Sequence, residues 1–291
     1  MEQLNLGDSK GITRRRRSDQ ALHLLFLACT SVGIIVLMAL LVTIIMDGVH
    51  RLSPDLFTNY PSRSADRAGM KSPIVGTIYL LLLMTPISFI LGVGAAIFLE
   101  EYAGRGRWIR LIQLNISTLA GVPSIIYGIL GLAIFVRGMG LGRSLLSGVL
   151  TMTLLVLPII IVASQEAIRA VPKNRRDASF ALGATKWQTV SRSVLPSAMP
   201  GIMTGVILAL SRAIGETAPL IMIGALTYVA FLPENLMDSF SVMPIQIFNW
   251  ISRPSQAFHE LAASGIILLL IMLFIMNITA VWIRNKYSKN L

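Results

Sequence analysis

Apolar residues in this chain come in long blocks without charge, rather than in alternation or one-sided stripes. Residues 22–46, 74–99, 111–136, 145–163 and 261–283 contain no Asp, Glu, Lys or Arg. A further block, 202–226, is interrupted only by Arg212 and Glu216. A hydrocarbon core about 30 Å thick takes about 20 apolar residues as a helix. Inside it every backbone N–H and C=O must be satisfied within the structure, which favours helices over irregular chain. The pattern predicts six transmembrane helices and an all-α polytopic fold. No internal repeat and no low-complexity linker divides the chain, so one membrane domain is expected. The first span is the least decorated and reads as peripheral to the rest.

Composition agrees with this picture and removes other classes. Hydrophobic residues make up 54% of the 291 positions and charged ones 13%, against about 25% charged in soluble domains. Cys29 is the single cysteine, so no disulfide framework or Cys-based metal site exists within the chain. The net charge of +11 would suggest nucleic acid in a soluble protein, but its distribution gives another meaning. With the N-terminus inside, most of the 25 Lys and Arg fall in the segments 1–21, 100–110, 164–201 and 284–291. That asymmetry is the positive-inside signal. It predicts a multi-pass membrane protein with both basic tails, 1–21 and 284–291, cytoplasmic. The first apolar block is too long for a signal-peptide core, and no small-x-small cleavage site follows it.

Pro86, Pro123 and Pro158 interrupt the second, third and fourth blocks. Membrane helices tolerate proline because neighbours re-satisfy the freed carbonyls; broken helices can also build a pathway. Both readings stand at this level. Trp108 and Trp282 fall near the inner ends of their spans, where amphipathic rings prefer the interface.

Arg212 and Glu216 are the chemistry inside the fifth block. Counted from residue 202, Arg212 sits about 15 Å into the membrane at 1.5 Å per residue. Glu216 lies one turn on, at ion-pairing distance. On a helical wheel both fall in the arc of Gly205, Ala209 and Ala213, a small-residue ridge suited to close helix approach. Met203, Val206, Ile207, Leu210 and Ile214 form the bulky opposite side. Ionisable residues at such depth face protein or water rather than lipid. The pair reads either as an ion pair that fixes packing or as polar lining on a permeation route. For the second role, Arg offers a rigid fork of donors suited to oxyanions, and Glu216 supplies a partner that keeps an anion from being trapped.

The longest inner connection, 164–200, is well punctuated. Pro172 suits the first position of a short helix over 173–182, stopped by Gly183 in a left-handed conformation. Thr185 and Gln188 have capping-box spacing, which predicts a second helix over 186–194, ahead of Pro196 and Pro200. The two would form a compact knob outside the membrane; a solvated, topology-setting loop would use the same basic residues.

Within this segment Asp177-Ala178-Ser179, followed by Gly183 and ending in Leu195-Pro196, resembles the EAA loop of binding-protein-dependent ABC importer permeases. Asp177 replaces the usual Glu, Ser179 the second Ala, and Ser193 an Ile. The stretches 119–128 (LAGVPSIIYG), 212–219 (RAIGETAP) and 243–254 (MPIQIFNWISRP) are similar to phosphate-specific members of that family, and the Gly-Glu-Thr-Ala-Pro ending resembles the PstA type. The resemblance covers about 74–286. It implies a MetI-like five-helix core within a permease domain over 74–283. Docking on an ATPase would run through Asp177, Ala178, Ser179 and Gly183, within 172–195. Arg212 and Glu216 would take part in phosphate passage. The implied partners are a PstC-like sister permease, PstB-like ATPases carrying ATP and Mg, and a PstS-like extracytoplasmic phosphate-binding protein. On this reading the chain sits in a bacterial inner (plasma) membrane and moves inorganic phosphate inward by alternating access. A permease for another oxyanion, or a stand-alone anion channel or secondary transporter, are the alternatives.

No Walker loop, H-E-x-x-H or Gly-x-Ser-x-Gly occurs, so the chain is expected to be no enzyme and to bind no cofactor. His23, His50 and His259 are scattered and read as incidental, so no metal site is expected. Glu100-Glu101, at the inner end of the second span, reads as an interfacial pair facing basic loops rather than as an acid/base dyad. On the outer side Gln246, Asn249 and Arg253 share one side of a short helix. They are placed to meet a delivered solute or a binding protein, or to form the wet side of an interfacial helix.

Overall fold

The computed structural model describes residues 9–104, 106–225 and 228–288. The outer parts of both expected tails, 1–8 and 289–291, lie outside the described residues, as does the expected close of the fifth span at Leu226. Helix α1 (Ser9–Gly48) runs through the first apolar block, and none of its apolar window is buried. It meets the body near its C-terminal end, where a Cβ on Gly48 would stand 2.6 Å from the Ser264 backbone nitrogen. After the short α2 (Pro54–Thr58), α3 (Lys71–Ile97) crosses with Pro86 inside it and ends in a widened π-helical turn, Phe98–Tyr102.

The third span departs from expectation. Helices α4 (Arg107–Leu119) and α5 (Ser124–Gly131), the latter continued by a π-helical turn over Leu132–Gly138, meet at a bend of 107°. The cause lies in Ala120-Gly121-Val122-Pro123. Proline has no N–H to give to the helix ladder and pushes its predecessor toward extended backbone. The Tyr127 hydroxyl ties the bend by donating to the Leu119 carbonyl, at 2.8 Å. Of the three prolines, this one breaks its helix; Pro86 and Pro158 lie within continuous helices.

Next come α6 (Leu145–Arg169), α7 (Lys173–Ala181) and α8 (Lys186–Thr189). A π-helical turn over Val190–Val194 joins α8 to α9 (Leu195–Ile214). The helix expected over 186–194 is therefore no separate half of a knob: it is the first part of one 29-residue helix, Lys186–Ile214. Pro196 stands in the first turn of α9, where the wider preceding turn has already shifted the hydrogen-bond register, so the missing N–H breaks nothing. The fifth span correspondingly begins earlier than residue 202 and stops at Ile214. The chain then continues as α10 (Ala218–Ile223), α11 (Met243–Ile251) and α12 (Gln256–Ser288). Among the described residues five helices are long and apolar enough to cross a membrane, and the bent α4–α5 pair makes a sixth if counted as one span.

The centre of the bundle is α3, α6 and α9, with Met84, Met152, Val156, Ile160, Ile202 and Val206 in the core. Lipid tails give helices no hydrophobic reason to associate, so close packing through small residues must do it. Gly92 fits against the Ile160 side chain, Gly201 against Ala167 and Gly205 against Ala163. A second cluster, including Met70, Met243, Trp250 and Phe258, fills the end of the bundle away from α7.

Candidate functional site

Arg212 stands in the last turn of α9. The Arg212 Nε lies 3.3 Å from Glu216 Oε1, across the break that Gly215 introduces. The Arg212 side chain is 55% exposed and that of Glu216 17%. Among the described residues the two terminal amino groups of Arg212 have no partner, so four N–H donors point away from the chain's own acceptors.

Depth follows from packing register. Gly201 opposite Ala167 and Gly205 opposite Ala163 make α9 antiparallel to α6, and the pairing carried forward sets Arg212 level with the turn around Val156. On the other side, Ser211 Oγ donates to Asn277 Oδ1 at 2.6 Å, and Arg284 Nη1 to Thr204 Oγ1 at 3.0 Å. Both registers put Arg212 within about one turn of the middle of the neighbouring apolar stretch. The helix thus ends, and its guanidinium emerges, in the middle of the bundle.

The face is not the expected one. Gly205, Ala209 and Ala213 are buried, and so are Val206, Ile207, Leu210 and Ile214 on the opposite side. Gly201, Leu208, Arg212 and Gly215 are exposed. The small ridge meets a partner helix, as its residues suggested, but Arg212 lies past its edge, on the strip this chain leaves open. Two stretches far apart in sequence, 119–128 and 212–219, come together behind that strip. A Cβ on Gly128 would stand 2.7 Å from the Cα of Pro219.

At the basic end, α7 covers Lys173–Ala181 with Leu182 as its C-cap residue, and Gly183 follows with φ +80°. Thr185 accepts from the Gln188 N–H while its own N–H donates to Gln188 Oε1, closing the capping box. Asp177 and Ala178 are exposed, and Ser179 bonds Thr189 at 3.0 Å. Three large apolar side chains stand exposed on this turn, Phe180, Trp187 and Leu182, the last 89% exposed. A cavity of about 500 Å³ opens between the ends of α6, α7 and α9, lined by Arg175, Arg192, Ser193 and Ser197 and by no acid.

Gln246, Asn249 and Arg253 do not form the expected wet side. Gln246 is buried, as are Met243, Pro244, Ile245, Ile247 and Trp250 around it. Asn249 keeps Oδ1 buried without a hydrogen bond among the described residues, and the Arg253 guanidinium lies 4.2 Å over the Phe258 ring. The helix is a buried strut against α3 and α12 because six of its nine residues are covered, and its polar positions follow the packing. Among the described residues no cluster of three His, Cys, Asp or Glu is placed to hold a metal ion. Sequence reasoning gave Arg169 and Arg176 no role, yet they meet Glu100 and Glu101. The signal was present in two acids at the end of one span and two arginines in the next basic loop.

A family model for the binding-protein-dependent transport system inner membrane component matches residues 89–289. The probable ABC transporter permease protein YqgI of Bacillus subtilis (strain 168) is 31% identical, over 95% of this chain and 98% of its own length. The phosphate transport system permease protein PstA of Yersinia pestis is 31% identical, over 91% of this chain and 90% of its own length. Among solved structures, a chain of a bacterial alginate ABC transporter, in complex with an alginate pentasaccharide-bound periplasmic protein, is 15% identical with TM-score 0.70. It covers 99% of both chains, and at that identity the likeness speaks for the fold.

Proposed function

The chain belongs to the family of inner membrane components of binding-protein-dependent transport systems, and from that premise we propose that it is the PstA-type half of a phosphate pathway. It is a multi-pass ABC importer permease and not an enzyme; a permease of this kind works with a second permease, a separate ATPase and a binding protein. Relatives that carry phosphate transport in their names support the choice of solute. In the proposed assembly a PstC-like permease covers the open strip of α9. PstB-like ATPases, which hold ATP and Mg, grip the apolar turn around Gly183. A PstS-like protein delivers phosphate at the far end, and both termini lie in the cytoplasm.

The observation that carries this reading is Arg212. A guanidinium at mid-bundle with its terminal amino groups free is expensive in lipid and useful beside a wetted passage. It offers paired N–H donors that match two oxygens of a tetrahedral oxyanion. Glu216 holds one edge of the guanidinium and repels a multivalent anion that lingers, so passage is transient. Closure of the ATPases on nucleotide pushes the segment 172–195, and because α8 and α9 are one helix the push reaches Arg212 along a rigid rod.

The test is uptake of labelled phosphate by vesicles holding the assembled transporter. Arg212→Gln is expected to abolish uptake while the complex still co-purifies, and Arg212→Lys to leave a small remainder. Normal uptake by Arg212→Gln would refute the pathway role. Competition with unlabelled sulfate separates phosphate from the nearest alternative oxyanion.

A further inference from the structure

Three consecutive residues at the end of α3 each hold a different later element. Glu100 takes Arg169 at the end of α6, whose Nε and Nη2 donate to the two carboxylate oxygens at 2.9 and 2.6 Å. Gln165 Nε2 adds a third bond to Glu100, at 2.8 Å. Glu101 takes Arg176 of α7, whose Nε and Nη2 donate to Oε1 at 3.1 and 2.8 Å. Tyr102 places its ring 5.1 Å from Nζ of Lys186, the first residue of α8. Successive side chains on a helix point in different directions, which lets neighbours in sequence serve three neighbours in space. All three lie in the π-helical turn Phe98–Tyr102, a distortion that gathers at functional places.

Arg176 does more than pair. Nη1 donates to the Val171 carbonyl at 2.7 Å and Nη2 to the Ile168 carbonyl at 2.9 Å, the latter shared with the Val171 N–H at 3.3 Å, so the guanidinium also clasps the backbone where α6 ends. The Arg176 and Glu101 side chains are 19% and 12% exposed. Exposed ion pairs hold little together, whereas a largely covered, multiply bonded guanidinium fixes geometry. The need for such a device is plain, because α7 has no buried residue of its own. Apolar packing does not set its angle; these side chains do.

We propose that Glu101 and Arg176, with Glu100–Arg169 and Tyr102–Lys186 beside them, are positioning residues that make α7, α8 and the inner end of α3 move as one body. A push on the exposed Phe180 and Leu182 then turns α3 and α9 together instead of bending the connecting loop. The inference rests on the reading of this segment as the ATPase dock.

The test uses the assembled transporter with Cys29→Ser, and two readouts. In the first, phosphate moved per ATP hydrolysed is expected to fall about tenfold in Glu101→Lys and in Arg176→Glu, with the ATPase still bound. It should return to within about threefold of the parent when the two changes are combined, since coupling energies of this size are carried by single contacts. In the second, spin labels at Phe98→Cys and Asn174→Cys report one narrow distance in the parent, with and without ATP, and a broadened one in Glu101→Lys. If Glu101→Lys does not assemble, Glu101→Gln, of the same shape, is expected to lose about threefold in the ratio. An unchanged ratio in the single variants, or a double variant no better than either, overturns the proposal. Should the parent fail to bind an ATPase or to move phosphate, the reading of the dock or of the solute fails instead. The label distance then decides alone, and an equally narrow distribution in the parent and Glu101→Lys overturns the hub.

Discussion

Gly205 of α9 lies so close to Ala163 of α6 that a Cβ at position 205 would stand 2.4 Å from the Ala163 Cβ. One turn earlier, a Cβ on Gly201 would stand 2.8 Å from that of Ala167. An alanine methyl is fixed to its backbone, so nothing flexible can yield at either contact. Gly205→Val is expected to push α9 off α6 at a cost of about 1–3 kcal/mol, the usual range for overpacking. The thermal midpoint of the detergent-solubilised complex should fall and uptake should be lost, with Gly205→Ala milder on both measures. An unchanged midpoint for Gly205→Val would mean that this glycine does not set the helix spacing.

The same packing divides α9 into a covered side and an open strip, and solvent should see the division. In a Cys29→Ser background, Leu208→Cys and Gly215→Cys are expected to react with a charged, membrane-impermeant thiol reagent during turnover, and phosphate should slow the reaction. Ala209→Cys and Ala213→Cys, on the buried side, should stay unreactive. Equal protection at all four positions would remove the aqueous route and leave Arg212–Glu216 as a packing device.

Gly183 has φ +80° and an N–H that donates to the Phe180 carbonyl at 2.9 Å. An L side chain in that conformation costs about 1–2 kcal/mol, so Gly183→Ala should weaken the turn without destroying it. Gly183→Pro fails on two counts, since proline fixes φ near −65° and has no N–H to donate. The expected outcome is a graded loss of ATPase co-purification, Pro worse than Ala. Thr185→Ala removes the cap and should cost about 1 kcal/mol. Co-purification and transport left intact in Gly183→Pro would count against this turn as the dock.

The parts of the molecule legible in the sequence are those governed by short-range rules. Charge-free runs locate the helices, Gly183 marks a left-handed stop, and the spacing of Thr185 and Gln188 names a cap. What the chain conceals is set by tertiary contact. Pro86, Pro123 and Pro158 look alike in sequence, yet only at 123 do a nearby glycine and the docking of α5 on α10 accompany a sharp bend. Pro196 and Pro200 looked like the end of a helix, but the widened turn at Val190–Val194 carries the helix past them. The wheel puts Arg212 within the small-residue ridge, but the side chain lies just past its edge, and that small step separates a buried ridge from an open strip. Glu100 and Glu101 were visible as charges but not as a hub, because their partners are 69 and 75 residues away.

Gln246, which helical spacing puts on an outward, wet face, is buried instead. The Met243 N–H at the start of its helix donates to Thr77 Oγ1 at 3.0 Å, anchoring α11 to α3, while Ile247 and Trp250 enter the cluster with Phe258 and Leu261. A buried glutamine in such a place stabilises by its hydrogen bonding and costs about 1–3 kcal/mol when its partners lose it. Gln246→Ala is therefore expected to lower the thermal midpoint and the yield of complex, while the KM for phosphate of the surviving transporter stays at the parent value. Phe248, exposed on the opposite side of the same helix, supplies the contrast: Phe248→Ala should leave the midpoint unchanged, and Phe248→Cys should react with an impermeant thiol reagent that Gln246→Cys resists. A Gln246→Ala transporter with an unchanged midpoint and a raised KM would return this residue to the solute's path and displace the account of α11 as a strut.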